Sequence, residues 1–373
     1  MLKGGSIVKL KKTVLLFLVA LLLLTPLSAC RKEPTPAPSP SPSGSASPSP
    51  SPSGGASPSG GGGGGGMKMG LGIVASVSKS KSAGTEDGAA QTDMTIAAVV
   101  LDQDGKIVKC VIDAVSASIA FNKNGELVTP ADTEFKSKNE LADSYGMKKA
   151  SSIGKEWYEQ ARAFASYVQG KTLEEVKDIK VDEQNYPTGA DLKASVTVSV
   201  GGFIEAIEKA VSSAQDAPES LSEGDALRLG VVTDMSKSAS ATAEKEGLAQ
   251  LTVTVAATTQ NNGGVITGNI LDSCITSVSF TKAGTITTDL SAEFKSKNEM
   301  GESYGMKKAS SIGKEWSEQA RAFSEYVVGK TVAEVKGIAV SEGGQPQSED
   351  LKSQVTISVG DFIRAIEKST VAG

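Results

Sequence analysis

An α+β fold is predicted for this chain: two tandem copies of a small domain, each with an antiparallel sheet packed by helices, following a disordered linker. Three observations carry that prediction. Residues 134–172 match residues 293–331 at a constant offset of 159, with 32 of 39 positions identical, and a repeat this long marks duplicated globular units, not a solenoid. Each copy opens with strand-like runs and closes with amphipathic helices. Ahead of them, residues 31–66 are almost entirely Pro, Ser, Gly and Ala, with no large apolar side chain to build a core. The expected layout is a first copy at 67–212, a polar linker at 213–226 that favours independent domains, and a second copy at 227–373.

The elements follow in order. Residues 94–101 and 107–112, separated by Asp102-Gln103-Asp104-Gly105, read as a β-hairpin, and residues 251–257 and 265–271 repeat it around a turn at 260–264. A third strand is expected near 117–121, turning at Asn122-Lys123-Asn124-Gly125. Trp157, Ala161, Phe164 and Val168 form one apolar stripe at helical spacing, as do Trp316, Ala320, Phe323 and Val327. Both tryptophans begin a stripe and therefore read as core residues. Gly170 should stop the first of these helices, and the capping boxes Thr172 to Glu175 and Thr331 to Glu334 should start another. The alternation of Ala194, Val196, Val198 and Val200 with polar residues suggests a half-buried strand, before a last helix carrying Phe203, Ile204, Ile207 and Ala210.

At the other end, Lys3, Lys9, Lys11 and Lys12 precede an apolar run at 14–24 and then Leu27-Ser28-Ala29-Cys30. This is the layout of a secretory signal peptide, and its end resembles the processing site of bacterial lipoproteins. The resemblance implies removal of residues 1–29, a diacylglyceryl group on Cys30, and a mature protein anchored on the extracytoplasmic face of the bacterial membrane. Residues 31–66 would then serve as a stalk.

Composition narrows the chemistry. The chain has no histidine, which removes the commonest general base, the commonest transition-metal ligand and every Ser-His or Cys-His nucleophile. A net charge of −5, with the basic residues scattered among acidic ones, offers no face for nucleic acid. Cys110 and Cys274 occupy non-equivalent places in the copies, so no metal site is expected, and buried free thiols are preferred to a disulfide between the copies. Gly-Lys-Thr at Gly170 and Gly329 lacks the earlier glycine of a phosphate loop, Ala165 and Ser324 standing there instead, and reads as a helix stop followed by a capped start.

The closing stretch, from Asp191-Leu-Lys-Ala-Ser-Val-Thr197 into the helix of Phe203 and Ile207, resembles the small FMN-binding domain of extracytoplasmic flavoproteins. That family's signature, Asp-x-x-Ser/Thr-Gly-Ala-Thr, receives FMN on its last threonine through a flavin transferase. Asp191 and Thr197 match its ends, as do Asp350 and Thr356, while Ala194-Ser195-Val196 and Ser353-Gln354-Val355 depart from its middle. The resemblance implies FMN as cofactor, a flavin transferase and a membrane redox partner, and electron carriage or binding in place of catalysis. Covalent flavin, non-covalent flavin or another planar ligand, and no cofactor all stay open. The loop at 144–157 is identical in the second copy, and it offers Tyr145, Gly146, Lys148, Lys149 and the amides near Ser151 and Ser152 to an anionic aromatic ligand. Tyr304, Gly305 and Lys307 are the counterparts. The competing class is a cell-surface adhesion or scaffold lipoprotein that carries no cofactor.

Overall fold

The computed structural model describes residues 66–371. The signal peptide and the lipidation of Cys30 expected from the sequence, and all but the last residue of the expected stalk, fall on residues 1–65, outside the described residues.

Three antiparallel strands open the first half: β1 (Lys68–Ser76), β2 (Gly88–Leu101) and β3 (Ile107–Phe121). Five helices follow: α1 (Lys138–Leu141), α2 (Trp157–Tyr167), α3 (Leu173–Lys177), α4 (Ala190–Lys193) and α5 (Gly201–Ser212). A short strand, β4 (Gln215–Asp216), returns to pair with β1. The second half repeats the plan with β5 (Ala226–Asp234), β6 (Gly247–Gln260), β7 (Ile266–Phe280), α6 (Lys297–Met300), α7 (Trp316–Val327), α8 (Val332–Lys336), α9 (Glu349–Lys352) and α10 (Gly360–Val371). The sheet orders are β3-β2-β1-β4 and β5-β6-β7. Among the described residues, no helix is long and apolar enough to cross a membrane.

Both faces of each sheet are covered. Ile96, Ala98 and Val100 of β2 pack with Val253, Val255 and Ala257 of β6 in a core between the sheets, while Ala97, Val99 and Leu101 pack outward against α2 and α5. This is why the run Ile-Ala-Ala-Val-Val-Leu at 96–101 is apolar at every position and not alternating. The layers run helix, sheet, sheet, helix.

The independence expected of the two copies is thereby corrected. They share the inter-sheet core, where Phe121 and Phe280 stack at 4.1 Å and 5°, and contacts across the seam come in reciprocal pairs. Ala83 N donates to Gly284 O at 2.8 Å and Ala241 N to Gly125 O at 2.7 Å. Lys209 meets Glu299 at 2.8 Å, and Lys368 meets Glu140 at 2.8 Å. The expected linker at 213–226 is also packed: Leu221 is 1% exposed, Ala217 N donates to Met67 O and Ser220 Oγ to Thr267 O. Its polar side chains bond to neighbouring backbone, so polarity here does not mean a free tether.

Two further expectations change. Residues 117–121 are not a separate third strand; they are the end of β3, which runs unbroken for 15 residues. Residues 194–200 form no strand. Ser195 N and Val196 N donate back to Leu192 O in a turn after α4, and Val200 N donates to Asn185 O. Val196 and Val200 are buried because the chain lays them over the helical layer, which imitates the period of a strand without a partner to pair with. The hairpins, the α2 and α7 stripes, the caps at Thr172 and Thr331 and the last helices form as expected.

Candidate functional site

Helix α2 starts at Trp157 because Glu156 caps it. Across the first turn, Glu156 N donates to Glu159 Oε2 at 2.8 Å. The buried Glu156 carboxylate accepts from Met147 N at 2.8 Å and Lys148 N at 2.9 Å. The loop is thus tied across the start of the helix by an internal anion. Glu315 does the same for Met306 and Lys307 at 2.8 and 2.9 Å. Gly146 and Gly305 close the preceding 3-10 turns at φ +76° and +78°, a conformation that suits glycine.

One turn into the helix, Gln160 is fully buried and joins distant segments. Its Oε1 accepts from Thr197 N at 2.7 Å and Thr197 Oγ1 at 3.2 Å, while Nε2 donates to Ser151 Oγ and Lys155 O, both at 3.2 Å. Gln319 repeats this with Thr356 at 2.8 and 3.2 Å and with Ser310 and Lys314. The structure therefore connects the loop and the threonine named from the sequence through a glutamine that sequence reasoning missed. Only the identity of this block between the copies hinted at it.

Tyr145 and Trp157 are joined by another residue that was missed. Lys138 Nζ lies 4.9 Å from both ring centres, and Lys297 lies 5.2 Å from Tyr304 and 4.7 Å from Trp316. Burial holds the Lys297 ammonium below the usual lysine range and pushes the Tyr304 phenol up. Lys148, Lys149 and Lys307 are exposed, the last 3.7 Å from Glu302. Asp191 and Asp350 are exposed in the first turns of α4 and α9. Trp157 and Trp316 are core residues, each 5% exposed and edge-on to Phe203 or Phe362. Near Ser151 and Ser152, where open amides are expected, Ser151 N donates to Met147 O at 3.0 Å, and earlier in the loop Met147 N and Lys148 N donate to Glu156.

No family model matches this chain, and no solved structure matches it. It is similar to a curated protein named chlorophenol reductase, from Desulfitobacterium hafniense, at 33% identity over 100 residues. The match covers 23% of this chain and 30% of that protein, so the chain spans less than a third of its relative's length.

Other chemistry lies on the sheets. Asp113 and Asp272 are fully buried and hold α1 and α6 in place by accepting from Asn139 N and Asn298 N at 3.0 Å. Burial pushes both carboxyls up to about 6. Cys110 and Cys274 are buried and free, with thiols pushed up to about 12. Among the described residues no group of three or more Cys, Asp or Glu could hold a metal ion. A cleft of about 410 Å³ lies between the edge strand β3, helix α2 and the start of β5, with Cys110, Asn139, Arg162, Ala165 and Leu227 among its walls. Its walls do not include Tyr145 or Lys148.

Proposed function

We propose that this is an exported, lipid-anchored protein carrying two FMN-binding-like halves that bind flavin or a similar planar anion, with electron transfer beside the membrane as its task. The observation that carries the reading is the duplicated link from loop to threonine. Thr197 and the loop are 37 residues or more apart, yet one buried glutamine fastens both, and the second half keeps the same arrangement. The Thr197 hydroxyl donates to Gln160 Oε1, which leaves lone pairs on Oγ1 to attack the FMN phosphorus of a flavin dinucleotide brought by the transferase, the hydroxyl losing its proton and the nucleoside monophosphate leaving as the phosphoanhydride bond breaks. Lys148 and Lys149 supply positive charge for a phosphate. FMN would supply the redox chemistry, and the protein its placement and electrostatics. The reductase named among its similarities agrees with a redox setting.

Co-expression of the full chain with a flavin transferase, followed by in-gel fluorescence of the denatured protein, tests the covalent form. Thr197→Val and Thr356→Val should each halve the signal, and together abolish it. A dark band with unmodified Thr197 and Thr356 peptides removes covalent attachment. For non-covalent binding, Lys148→Ala with Lys149→Ala should weaken flavin affinity without lowering the melting temperature; unchanged affinity removes the loop as a site.

One observation favours the second reading, a scaffold or adhesion lipoprotein without cofactor. Glu156 already occupies loop amides and Lys138 already lies over the rings of Tyr145 and Trp157, so the loop is held together without a ligand. The flavin spectrum of protein from its native host separates the two.

A further inference from the structure

The second half contains a cleft of about 190 Å³ between the edge strand β7 and helix α7, walled by Asn269, Leu271, Asn298, Ser317, Arg321 and Ser324. Asn269 Oδ1 and Ser324 Oγ are buried there without any hydrogen-bond partner, in residues 9% and 5% exposed. The Asn269 amide nitrogen donates to Thr258 Oγ1 at 3.0 Å and to Ala257 O at 3.5 Å; the carbonyl can only accept, so it sets the orientation of the amide and leaves its oxygen unmatched. Native proteins rarely bury such atoms unpaired.

The first half carries different residues along the corresponding wall, although Asn139 Oδ1 is buried without a partner there. Cys110 stands in place of Asn269, Ala165 in place of Ser324 and Tyr158 in place of Ser317. There, Arg162 lies 5.0 Å from the Tyr158 ring, whose hydroxyl donates to Asp143 at 3.2 Å. With Ser317 the ring is gone, and Arg321 makes no ion pair or ring contact among the described residues. Two of the seven differences in the otherwise identical 39-residue block fall on this wall, and the strand opposite changes with them. Together they replace a thiol, a methyl and a phenol ring with an amide and two hydroxyls beside Arg321, which is exposed to solvent.

We propose that the β7–α7 cleft binds a small carboxylate bearing a hydroxyl or amino group. The carboxylate would face the Arg321 guanidinium. The adjacent O–H or N–H would donate to Asn269 Oδ1, and Ser324 Oγ can donate or accept. No carboxylate lines the cleft to oppose an anion. Its volume suits a metabolite of a few heavy atoms and is below that of drug-sized pockets. This site is separate from the Tyr304 loop and does not depend on flavin.

The test is calorimetry and thermal shift on the full chain with glycolate, L-lactate and L-serine as probes, and acetate as the control lacking a donor. At least one probe should bind saturably and more tightly than acetate. Arg321→Ala should weaken that binding about tenfold or more, as should Asn269→Cys with Ser324→Ala, which installs the first half's residues. Without probe, the double variant with Thr258→Val added, which installs the first half's Val99 as well, should melt no lower than the parent, because it removes two unpaired polar atoms together with the hydroxyl that Asn269 bonds. The proposal is overturned if no probe binds, if binding survives Arg321→Ala, or if the variant that also carries Thr258→Val melts lower on its own, which would make the polar pair structural.

Discussion

Asp113 and Asp272 show how one buried side chain sets a pH dependence. Their folded values near 6 lie above the ordinary 3.8, so the folded state favours the protonated form. Stability is therefore greatest where both are protonated and falls as pH rises from about 4 through 6. Between pH 5 and 7 each acid should cost roughly 1 kcal/mol. Carboxylates held low, such as Asp93 and Glu134, act the other way, but only in more acidic solution, below the ordinary carboxylate range. The full chain should thus resist urea better at pH 5 than at pH 7, and Asp113→Asn with Asp272→Asn should flatten that difference. A midpoint that rises from pH 5 to 7 contradicts this. Neither these acids nor Glu156 and Gln160 were legible as buried groups, because a polar residue type does not reveal that the fold encloses it.

At the scale of elements, the helices α5 and α10 lie so close to the sheets that glycine is required beneath them. A Cβ on Gly72 would sit 2.1 Å from Ala206 O, and one on Gly230 1.9 Å from Ala365 O. Gly230→Ala should destabilise by about 3 kcal/mol, measured by chemical denaturation; a neutral effect would show that the helix can lift without loss. The hairpin turns and the α2 stripe were legible because local chemistry decides them. Asp102 Oδ1 caps its turn by accepting from Asp104 N and Lys106 N, and Gly105 takes the positive φ. Residues 194–200 misled because Val196 and Val200 point the same way in a turn and in a strand alike. A period of two reports burial, and only a paired neighbour makes a strand. Strands β1 and β5 were not named as elements, and their Gly72 and Gly230 find their reason only in the helices packed above them.

Over the whole molecule, duplication was plain in the sequence but fusion was not. Residues such as Phe121 and Ile96 have the same apolar character whether they face their own helices or another copy. The shared core implies cooperative unfolding. Phe121→Ala should cost about 3–5 kcal/mol and move one calorimetric transition as a whole; two separate transitions would mean independent halves. The same fusion holds two equivalent loop-and-threonine arrangements in one body, and the central claim is that these serve flavin at the membrane. The most direct measurement is the flavin-to-chain ratio, by absorbance and extraction, of protein purified from the membranes of its native host. A bound flavin that approaches two per chain is the expected result. Membrane-derived protein with no flavin absorbance, or protein found only in the soluble fraction, would contradict it.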